Sequence, residues 1–332
     1  MKKIWITWER QRRSIELSRA FEAKYYELLK FSSQIKFRPL RYAVLSLRTI
    51  KILSKERPDI VFCQNPSVIL ATLSCIVRRS FGYKLVVDRH SNFMFKKNPY
   101  TLKYILFQKI SNYTIRKADI TIVTNKFLYD WVKRKGGNGF ILEDKLPDLK
   151  PARQGLFCKQ TDEKVVTYIS TFSPDEPVSQ VIKAGQYVKE NWQIMITGNY
   201  QSYSYKNEMI EGIPANVKLT GYLPEKEYQN LLDYSKIIMV LTTMNHTLNC
   251  GAYEGISLLK PLVLSDTNAI RSYFYKGVVY TRNEPLKIGE AINMAINKYS
   301  VLSREIKELS SELRVNWDKK FNELNKKING LF

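Results

Sequence analysis

The chain has 332 residues, of which 44% are hydrophobic and 25% charged, so it can bury two separate domain cores and is not a disordered protein. Its four cysteines are scattered without metal-ligand spacing and its two histidines lie far apart, which disfavours a disulfide framework and a zinc site. The formal net charge is +22, and residues 1–150 supply +19 of it, with 31 Lys and Arg against 12 Asp and Glu.

The basic first half indicates an anionic partner, because clustered positive charge attracts phosphates and anionic surfaces. Nucleic acid is disfavoured, since no zinc finger, RNA-recognition motif or helix-turn-helix pattern occurs. An anionic membrane, a phosphorylated acceptor and a merely solvated basic surface stay open. The first residues, M-K-K-I-W-I-T-W-E-R, lack a signal-peptide core, and the longest apolar stretch, Val68 to Val77, is too short for a bilayer. We therefore expect a cytoplasmic protein.

The chain begins with a predicted strand, Lys3 to Thr7, and the spacing of Ile15, Leu17 and Phe21 then predicts a helix. Three arginines beside a helix amino terminus oppose its dipole, so we expect an anion such as a lipid pyrophosphate to bind them through forked hydrogen bonds. A solvent-facing basic turn is the alternative. The turn in question contains Glu9, Arg10, Arg12 and Arg13.

A basic helix and a strand that leads into a histidine follow in the first half. A basic helix is predicted over residues 42–56, and a later strand, Lys84 to Val87, runs into Asp88-Arg89-His90. Open α/β sheets bind ligands at the carboxyl ends of their strands, which makes Asp88 and His90 candidates for a cleft. A structural histidine is the alternative.

The segment from Asn92 to Tyr104, N-F-M-F-K-K-N-P-Y-T-L-K-Y, mixes aromatic residues with lysines. Such a mixture suits a membrane interface, with aromatic anchors and a basic rim. An ordinary loop that packs Phe93 and Phe95 into the core is equally compatible with the pattern. Further along, Pro147, Pro151 and Gly155 predict a domain boundary.

The second half opens with a strand, Val165 to Ser170, and continues with a second strand that ends before Gly198 and a segment that carries Tyr222. The stretch from Val240 to Asp266 reads V-L-T-T-M-N-H-T-L-N-C-G-A-Y-E-G-I-S-L-L-K-P-L-V-L-S-D. It predicts a strand, a polar loop, a short helix and another strand.

That short helix carries the strongest chemical signal. A helix that begins near Gly251 directs unpaired backbone N–H groups and about half a positive charge outward, where a phosphate can bind. Gly251 and Ala252 are small enough for close approach of an anion. Glu254, one turn further in, can accept two hydrogen bonds from a ribose diol. A carboxylate satisfied within its own helix is the alternative.

This stretch resembles the donor-binding motif of GT-B glycosyltransferases, above all the retaining family 4. In that family a Glu, seven residues and a second Glu precede a helix that ends in G-x-P-V-V-x-S-D. Glu254 matches the second Glu, which binds the nucleotide ribose, and Lys260 to Asp266 matches the tail. His246 replaces the first Glu, which contacts the donor sugar. The resemblance is specific over about residues 165–285.

A departure from the family occurs after Ser170. Family 4 usually has G-R-L-x-x-E-K-G there, in which Arg and Lys clamp the donor pyrophosphate. This chain has Thr171 and Glu176 near those places, and it more nearly resembles the S-T-x-x-x-D-E pattern of mannosyltransferases that extend lipid-linked oligosaccharides. Pyrophosphate binding is then left to backbone amides near residues 170–171 and 251–252.

The resemblance implies an α/β protein of the GT-B fold, with two Rossmann-like domains that face a central cleft. It implies an acceptor-side domain over 1–147, a nucleotide-sugar-binding domain over 148–310, and a final helix over 311–332 that returns to the first domain. The site residues fall into three sets: catalytic His90 and His246; donor-binding Ser170, Thr171, Gly198, Tyr222, Thr247, Asn249, Gly251, Ala252 and Glu254; and acceptor- or anion-binding Glu9, Arg10, Arg12, Arg13 and Asp88.

The implied reaction is hexosyl transfer, with retention of configuration, from a nucleotide sugar to a saccharide or lipid-linked acceptor in surface polysaccharide or glycoconjugate biosynthesis. No metal or other cofactor is implied, and the basic half predicts peripheral attachment to the inner face of the plasma membrane. Two alternatives share the fold: a UDP-sugar 2-epimerase, and a degenerate binding protein without transfer activity. The replaced Glu and the missing clamp favour the latter.

Overall fold

The computed structural model describes residues 1–28, 35, 37–64, 68–90, 101–150, 164–202 and 212–332. The chain forms two compact units: Met1–Lys145 with Trp317–Phe332, and Leu146–Asn316. Residues 92–100 of the aromatic and lysine-rich segment lie outside the described residues, as do Pro151 and Gly155 of the boundary. None of the helices in the described ranges is long and apolar enough to cross a membrane.

The first unit contains a sheet of six parallel strands in the order β2-β1-β3-β4-β5-β6. These strands are β1 (Lys3–Thr7), β2 (Lys24–Glu27), β3 (Ile60–Gln64), β4 (Lys84–Asp88), β5 (Ile120–Val123) and β6 (Gly139–Ile141). The helices between them are α1 (Arg12–Ala20), α2 (Arg38–Glu56), α3 (Val68–Phe81), α4 (Leu102–Lys117) and α5 (Lys126–Arg134).

The apolar runs of these strands explain the layering. Every residue of β3 is buried, as expected of a parallel strand that is covered on both faces by helices. Aromatic stacking reinforces one face of the sheet, where Trp5 lies 5.2 Å from Phe62 and Phe21 lies 4.7 Å from Phe62, measured between ring centroids. The first unit therefore has its own core.

The last helix, α11 (Tyr299–Asn329), contributes its final residues to the first unit. Trp317 donates its indole N–H to the carbonyl oxygen of Glu143 at 3.2 Å, and Lys320 pairs with the Glu143 carboxylate at 2.6 Å. Phe321 packs on Phe21 with ring centroids 4.7 Å apart, and Leu324 is fully buried in the same cluster. The end of this helix thus completes one face of the first core.

The second unit contains six more parallel strands in the order β12-β11-β10-β7-β8-β9. They are β7 (Lys164–Tyr168), β8 (Trp192–Thr197), β9 (Val217–Gly221), β10 (Ile237–Val240), β11 (Leu262–Ser265) and β12 (Val278–Thr281). Its helices are α6 (Val178–Ala184), α7 (Glu225–Tyr234), α8 (Cys250–Ser257), α9 (Asn268–Tyr273) and α10 (Pro285–Asn297), followed by the start of α11.

One strand is shorter than its sequence predicts. The β-branched run 237–242 predicts a strand to Thr242, but β10 ends at Val240. The backbone N–H of Thr242 donates to the Ser265 hydroxyl at 2.9 Å, and that of Thr243 donates to the carbonyl oxygen of Asp175 at 2.8 Å. These two donors therefore leave the ladder and tie the loop after β10 to its neighbours.

We expect Leu324→Ala to lower the free energy of unfolding of the first unit by about 2–5 kcal/mol, because it leaves a cavity in a packed core. Val315→Ala, on the same helix at a side chain that is 68% exposed, is the control and should change stability by less than about 0.5 kcal/mol. Urea denaturation of both variants gives the comparison. Equal, small effects would show that the end of α11 is not part of the first core.

Candidate functional site

The predicted donor residues collect at one edge of the second sheet. Because all its strands are parallel, their carboxyl ends meet at the same edge, and β7 lies directly between β10 and β8. The loops after these strands carry Ser170 and Thr171, then Gly198, then His246, Thr247 and Asn249. Tyr222 follows the edge strand β9 and is 78% exposed. The fold therefore brings most of the donor set to one place.

A carboxylate organises the turn after β7. Glu176 accepts hydrogen bonds from the Ser170 hydroxyl at 2.8 Å, from the Thr171 N–H at 2.8 Å and from the Ser173 N–H at 3.0 Å. Its other oxygen accepts from the Thr171 hydroxyl at 3.1 Å. Four donors of residues 170–173 thus converge on one side chain. Phe172, between them, has a φ of 58°, a left-handed conformation that the converging bonds hold in place.

This arrangement differs from the expectation that backbone amides at residues 170–171 lie open for pyrophosphate. The amide of Ser170 donates to the Thr197 hydroxyl at 3.1 Å, and the amide of Thr171 donates to Glu176. Both donors are therefore occupied by the protein itself. The sequence shows the acidic residue, but whether its carboxylate turns outward or back into its own loop depends on the tertiary path of the chain.

The neighbouring Asp175 connects this turn to the loop after β10. Its carboxylate accepts from the Ser173 hydroxyl at 2.6 Å and from the Thr242 hydroxyl at 2.7 Å. With the Thr243 amide on its carbonyl oxygen, Asp175 holds the two loops together. Sequence reasoning gave Asp175 no role, although an acidic residue that follows Ser-Pro is an ordinary turn residue.

Close backbone approach requires glycine at Gly198. Its φ is 109°, and a Cβ atom there would overlap the carbonyl oxygen of Ser170. The loop after β8 consequently lies directly against the turn after β7. Gly198 thus acts through packing of two loops, which any larger side chain would separate.

The amino terminus of α8 lies on the ends of β7 and β10. A Cβ atom on Gly251 would come within 3.1 Å of Ile169 and 3.0 Å of Val240, so its small size serves helix packing against the strands. Ala252 is buried in the same core cluster. The small size of these two residues thus has a packing role here, and their predicted contact with an anion stays a prediction. Asn249 is the N-cap residue with an extended backbone, but its side chain does not cap the helix, and its buried Oδ1 has no hydrogen-bond partner.

Glu254 is buried within α8, with 9% of its surface exposed. Its Oε2 accepts a hydrogen bond of 2.5 Å from the hydroxyl of Tyr228 on α7. Tyr228 thereby orients the carboxylate. The sequence did not predict this role, because nothing in the segment E-K-E-Y-Q-N marks its tyrosine as a site residue. His246 and Thr247 are half-buried in the loop before α8, where the Thr247 hydroxyl lies 3.5 Å from the Met244 sulfur.

In the first unit, the predicted anion-binding residues Arg13 and Asp88 bind each other. Arg13 is 6% exposed and Asp88 is 1% exposed, and the guanidinium Nε lies 3.0 and 3.1 Å from the two oxygens of Asp88. Arg13 also donates to the carbonyl oxygen of Leu142 at 2.9 Å and pairs with Asp144 at 2.5 Å. Arg13 is therefore an internal cation, and the expected open, anion-binding guanidinium does not match these contacts.

The electrostatics of this pair follow from burial and opposite charge. Burial disfavours the charged guanidinium, but the charges of Asp88 and Asp144 outweigh it and raise the pKa of Arg13. Burial likewise disfavours the ionised Asp88, yet Arg13 and then His90 hold the pKa of Asp88 below its ordinary value. Both groups are consequently charged at neutral pH.

His90 follows β4 and accompanies Asp88. Its Nδ1 lies 2.9 Å from Asp88 Oδ2, which orients the ring and leaves Nε2 on the opposite side. The intervening Arg89 points the other way, toward the hydroxyls of Ser111 and Thr114 at 2.9 Å each. Alternation along the extended chain thus places Asp88 and His90 on one side.

The rest of the predicted basic turn is more exposed. Glu9 and Arg10 lie at the surface, where the Thr7 hydroxyl accepts from the Glu9 N–H at 3.2 Å. Arg12 begins α1 and pairs with Glu16 at 2.9 Å, one helical turn later. Of the three arginines, one is thus internal, one pairs within its helix and one is exposed.

Two glycosyltransferase family models match the chain. Residues 12–139 match the model of Glycosyltransferase Family 4, and residues 157–314 match that of Glycosyl transferases group 1. No curated protein sequence matches the chain.

Solved structures share the fold. HepE of Anabaena, solved in complex with UDP-glucose, is similar over 98% of this chain and 99% of its own, with 14% identity and a TM-score of 0.70. Sucrose-phosphate synthase of Thermosynechococcus elongatus is similar over 93% of this chain and 81% of its own, with 14% identity and a TM-score of 0.70. A putative UDP-N-acetylglucosamine 2-epimerase of Listeria monocytogenes is similar over 93% of this chain and 91% of its own, with 11% identity and a TM-score of 0.64.

The protein has two parallel six-stranded sheets flanked by helices, and this architecture is the α/β fold of the GT-B type. A glycosyltransferase family model matches each half of the chain, so the protein is a GT-B glycosyltransferase.

We expect Arg13→Met to lower the free energy of unfolding by about 3–5 kcal/mol at pH 7, because Asp88 is then buried with its main counter-charge removed. In the native protein the pKa of Asp88 in the folded state lies below its value in the unfolded state. Ionised Asp88 therefore stabilises the fold above about pH 4, and this stabilisation disappears as the pH falls through the folded-state pKa. In the variant, burial raises that pKa above the unfolded value, so the deficit is largest at neutral pH and shrinks toward about pH 4.

The control for this variant is Arg12→Met, which removes a more exposed arginine one position away and should cost less than about 1 kcal/mol. Chemical denaturation between pH 4 and 7.5 measures both. A deficit for Arg13→Met that does not change with pH would rule out the ionisation of Asp88 as its cause.

Proposed function

We propose that this glycosyltransferase takes its sugar from a nucleotide-sugar donor bound at the carboxyl edge of the second sheet. The observation that carries the proposal is Glu254, a buried carboxylate on α8, the helix that begins on the ends of β7 and β10. Such a carboxylate can accept both hydroxyl groups of a ribose, and the start of the helix favours the phosphate charge. The UDP-glucose complex of HepE, a protein of the same fold, supports a donor of this class.

The chemistry we propose is transfer with retention of configuration. The dipole of α8 stabilises the charge that develops on the departing phosphate. His246, in the loop before α8, contacts the donor sugar. His90, with its ring oriented by Asp88, presents Nε2 for a hydrogen bond to a hydroxyl of a substrate. His90 and His246 therefore stay the proposed catalytic residues.

The test is incubation of the purified chain with a panel of UDP-, GDP- and other nucleotide sugars, with simple saccharide and lipid-linked acceptors. Release of the nucleoside diphosphate together with a glycosylated product supports transfer, and NMR of the product reports whether the anomeric configuration is retained. Conversion of UDP-N-acetylglucosamine to its 2-epimer would instead support the epimerase alternative. Binding without turnover across the panel would support the degenerate binding protein.

The acceptor side of the proposal rests on the surface of the first unit. The exposed stripe of α2 alternates apolar with cationic residues at helical spacing, with Leu40 53% and Leu47 68% exposed. The exposed stripe of α4 includes Leu102, at 82%, and Leu106, at 56%. Apolar side chains among cations are typical of surfaces that bind anionic membranes. The cations of α2 on this stripe are Arg48, Lys51 and Lys55.

A basic cavity lies where α3 and α4 end. It has a volume of about 700 Å³, and its lining contains one carboxylate, Asp119, which pairs with Arg78 at 2.8 Å. A cavity of this charge can accommodate the phosphate of a lipid head group. We propose that the protein attaches peripherally to the inner face of the plasma membrane, where its acceptor is a lipid-linked saccharide. The other cations that line the cavity are Arg79, Arg116 and Lys117.

For the donor site, we expect Glu254→Ala to weaken nucleotide binding by about 1.5–3 kcal/mol, the range for hydrogen bonds to a charged group. Calorimetry with the nucleoside diphosphate that the panel identifies gives the affinity. Glu225→Ala, an exposed carboxylate on α7, is the matched control and should leave the affinity unchanged. An unaltered affinity in a folded Glu254→Ala protein would remove Glu254 from the site.

For the membrane surface, we expect Lys51→Ala with Lys55→Ala to weaken binding to anionic vesicles by about 30-fold, since each cation near such a surface contributes about 1 kcal/mol. Co-sedimentation across a salt series measures this, and binding should weaken as salt screens the charges. Lys183→Ala with Lys226→Ala, two exposed lysines of the second unit, is the control. Equal losses in both double variants, or no binding of the native protein at low salt, would contradict the proposed surface.

A further inference from the structure

The turn after β7 has the geometry of an anion-binding site. Two backbone N–H groups, of Thr171 and Ser173, and the hydroxyls of Ser170 and Thr171 point at one spot. Successive amides and hydroxyls that converge in this way form a concavity that binds phosphates and carboxylates. The spot lies at the carboxyl edge of a parallel sheet, which is where such folds bind their ligands.

The anion in this turn is the protein's own. The carboxylate of Glu176 accepts all four hydrogen bonds, at 2.8 to 3.1 Å. Its backbone is fixed separately, because the Glu176 N–H donates to the carbonyl oxygen of Ser173 and its carbonyl oxygen accepts from Val178, both at 2.9 Å. The side chain is half-buried, so it has a path to solvent. The carboxylate can therefore leave the turn by rotation of its side chain while the loop backbone stays in place.

The turn is also next to the proposed phosphate position. Ile169, immediately before it, contacts the position of Gly251 in the first turn of α8, and Gly198 lies against Ser170 on the other side. An anion held at the start of α8 is thus a neighbour of this turn. A phosphate and a carboxylate cannot use the same donors at once, and their charges repel each other.

We propose that Glu176 is a built-in competitor for a phosphate or pyrophosphate group at the Ser170–Ser173 turn, because its carboxylate occupies the donors that such a group would use. The inference rests on the proposed donor site in one respect only, that the natural occupant is the phosphate of a nucleotide sugar. The phosphate binds when the carboxylate of Glu176 rotates out of the turn. The negative charge of Glu176 weakens that binding and so sets the affinity.

The experiment compares the full chain with Glu176→Gln and Glu176→Ala, with inorganic pyrophosphate and UDP as probes. Glutamine keeps the shape of the side chain and removes its charge, and alanine vacates the turn. Glu190→Gln, which removes an exposed carboxylate elsewhere in the second unit, controls for net charge. Dissociation constants come from calorimetry at one ionic strength, and melting temperatures verify that each variant is folded.

We expect pyrophosphate to bind both Glu176 variants at least about fivefold more tightly than the native chain, because the repulsion between the two anions is removed. Glu190→Gln should bind as the native chain does. In Glu176→Gln, pyrophosphate should also shift the NMR signals of the Thr171 and Ser173 amides, which locates it in the turn.

Pyrophosphate binding that is unchanged or weaker in a folded Glu176→Gln protein would overturn the inference and make Glu176 a purely structural residue. Tighter pyrophosphate binding that leaves the two amide signals unshifted would also overturn it. The UDP arm separates this inference from the proposed function. If pyrophosphate binds the variants more tightly but UDP binds none of the proteins, the competitor stands and the nucleotide donor site is wrong.

Discussion

The organisation of the second unit depends on one constraint: all its strands are parallel, so every loop that follows a strand leaves from the same edge of the sheet. Backbone groups that leave the ladder there still need partners. Side chains at the ends of neighbouring strands supply them, as Thr197 of β8 does for the Ser170 amide and Ser265 of β11 does for the Thr242 amide. These bonds tie the loops to the edge of the sheet.

The positive charge of the first half is not all at the surface, although its distribution along the sequence suggests a uniformly basic surface. The +19 of residues 1–150 is a sum over residue types, and a sum does not separate a surface cation from an internal one. Arg13 is internal, since Asp88 and Asp144 offset its charge. Exposed cations of the first unit include those on the stripe of α2, and further cations line the cavity where α3 and α4 end. In the second unit, a carboxylate occupies a turn suited to anions.

A glycosyltransferase can retain its fold at 14% identity to HepE because few positions are chemically specified. Strand interiors require only apolar side chains of suitable volume, as in β3 and β10. A few glycines are constrained by space: Gly198 against the carbonyl oxygen of Ser170, and Gly251 against Ile169 and Val240. Folds of this kind generally bind ligands at their strand ends, so likeness of fold and likeness of chemistry can diverge.

The sequence by itself determined the α/β class, most of the strands and the helix that carries Glu254, because buried parallel strands and amphipathic helices have distinct local patterns. It also predicted the family, through the spacing from His246 to Asp266. Only the tertiary structure decided which polar groups pair with which. Arg13 meets Asp88 across 75 residues, Tyr228 meets Glu254 across 26, and Glu176 turns back into its own loop although its residue type is equally compatible with solvent. Such pairings depend on where the packed elements bring the side chains, and sequence spacing carries no information about that.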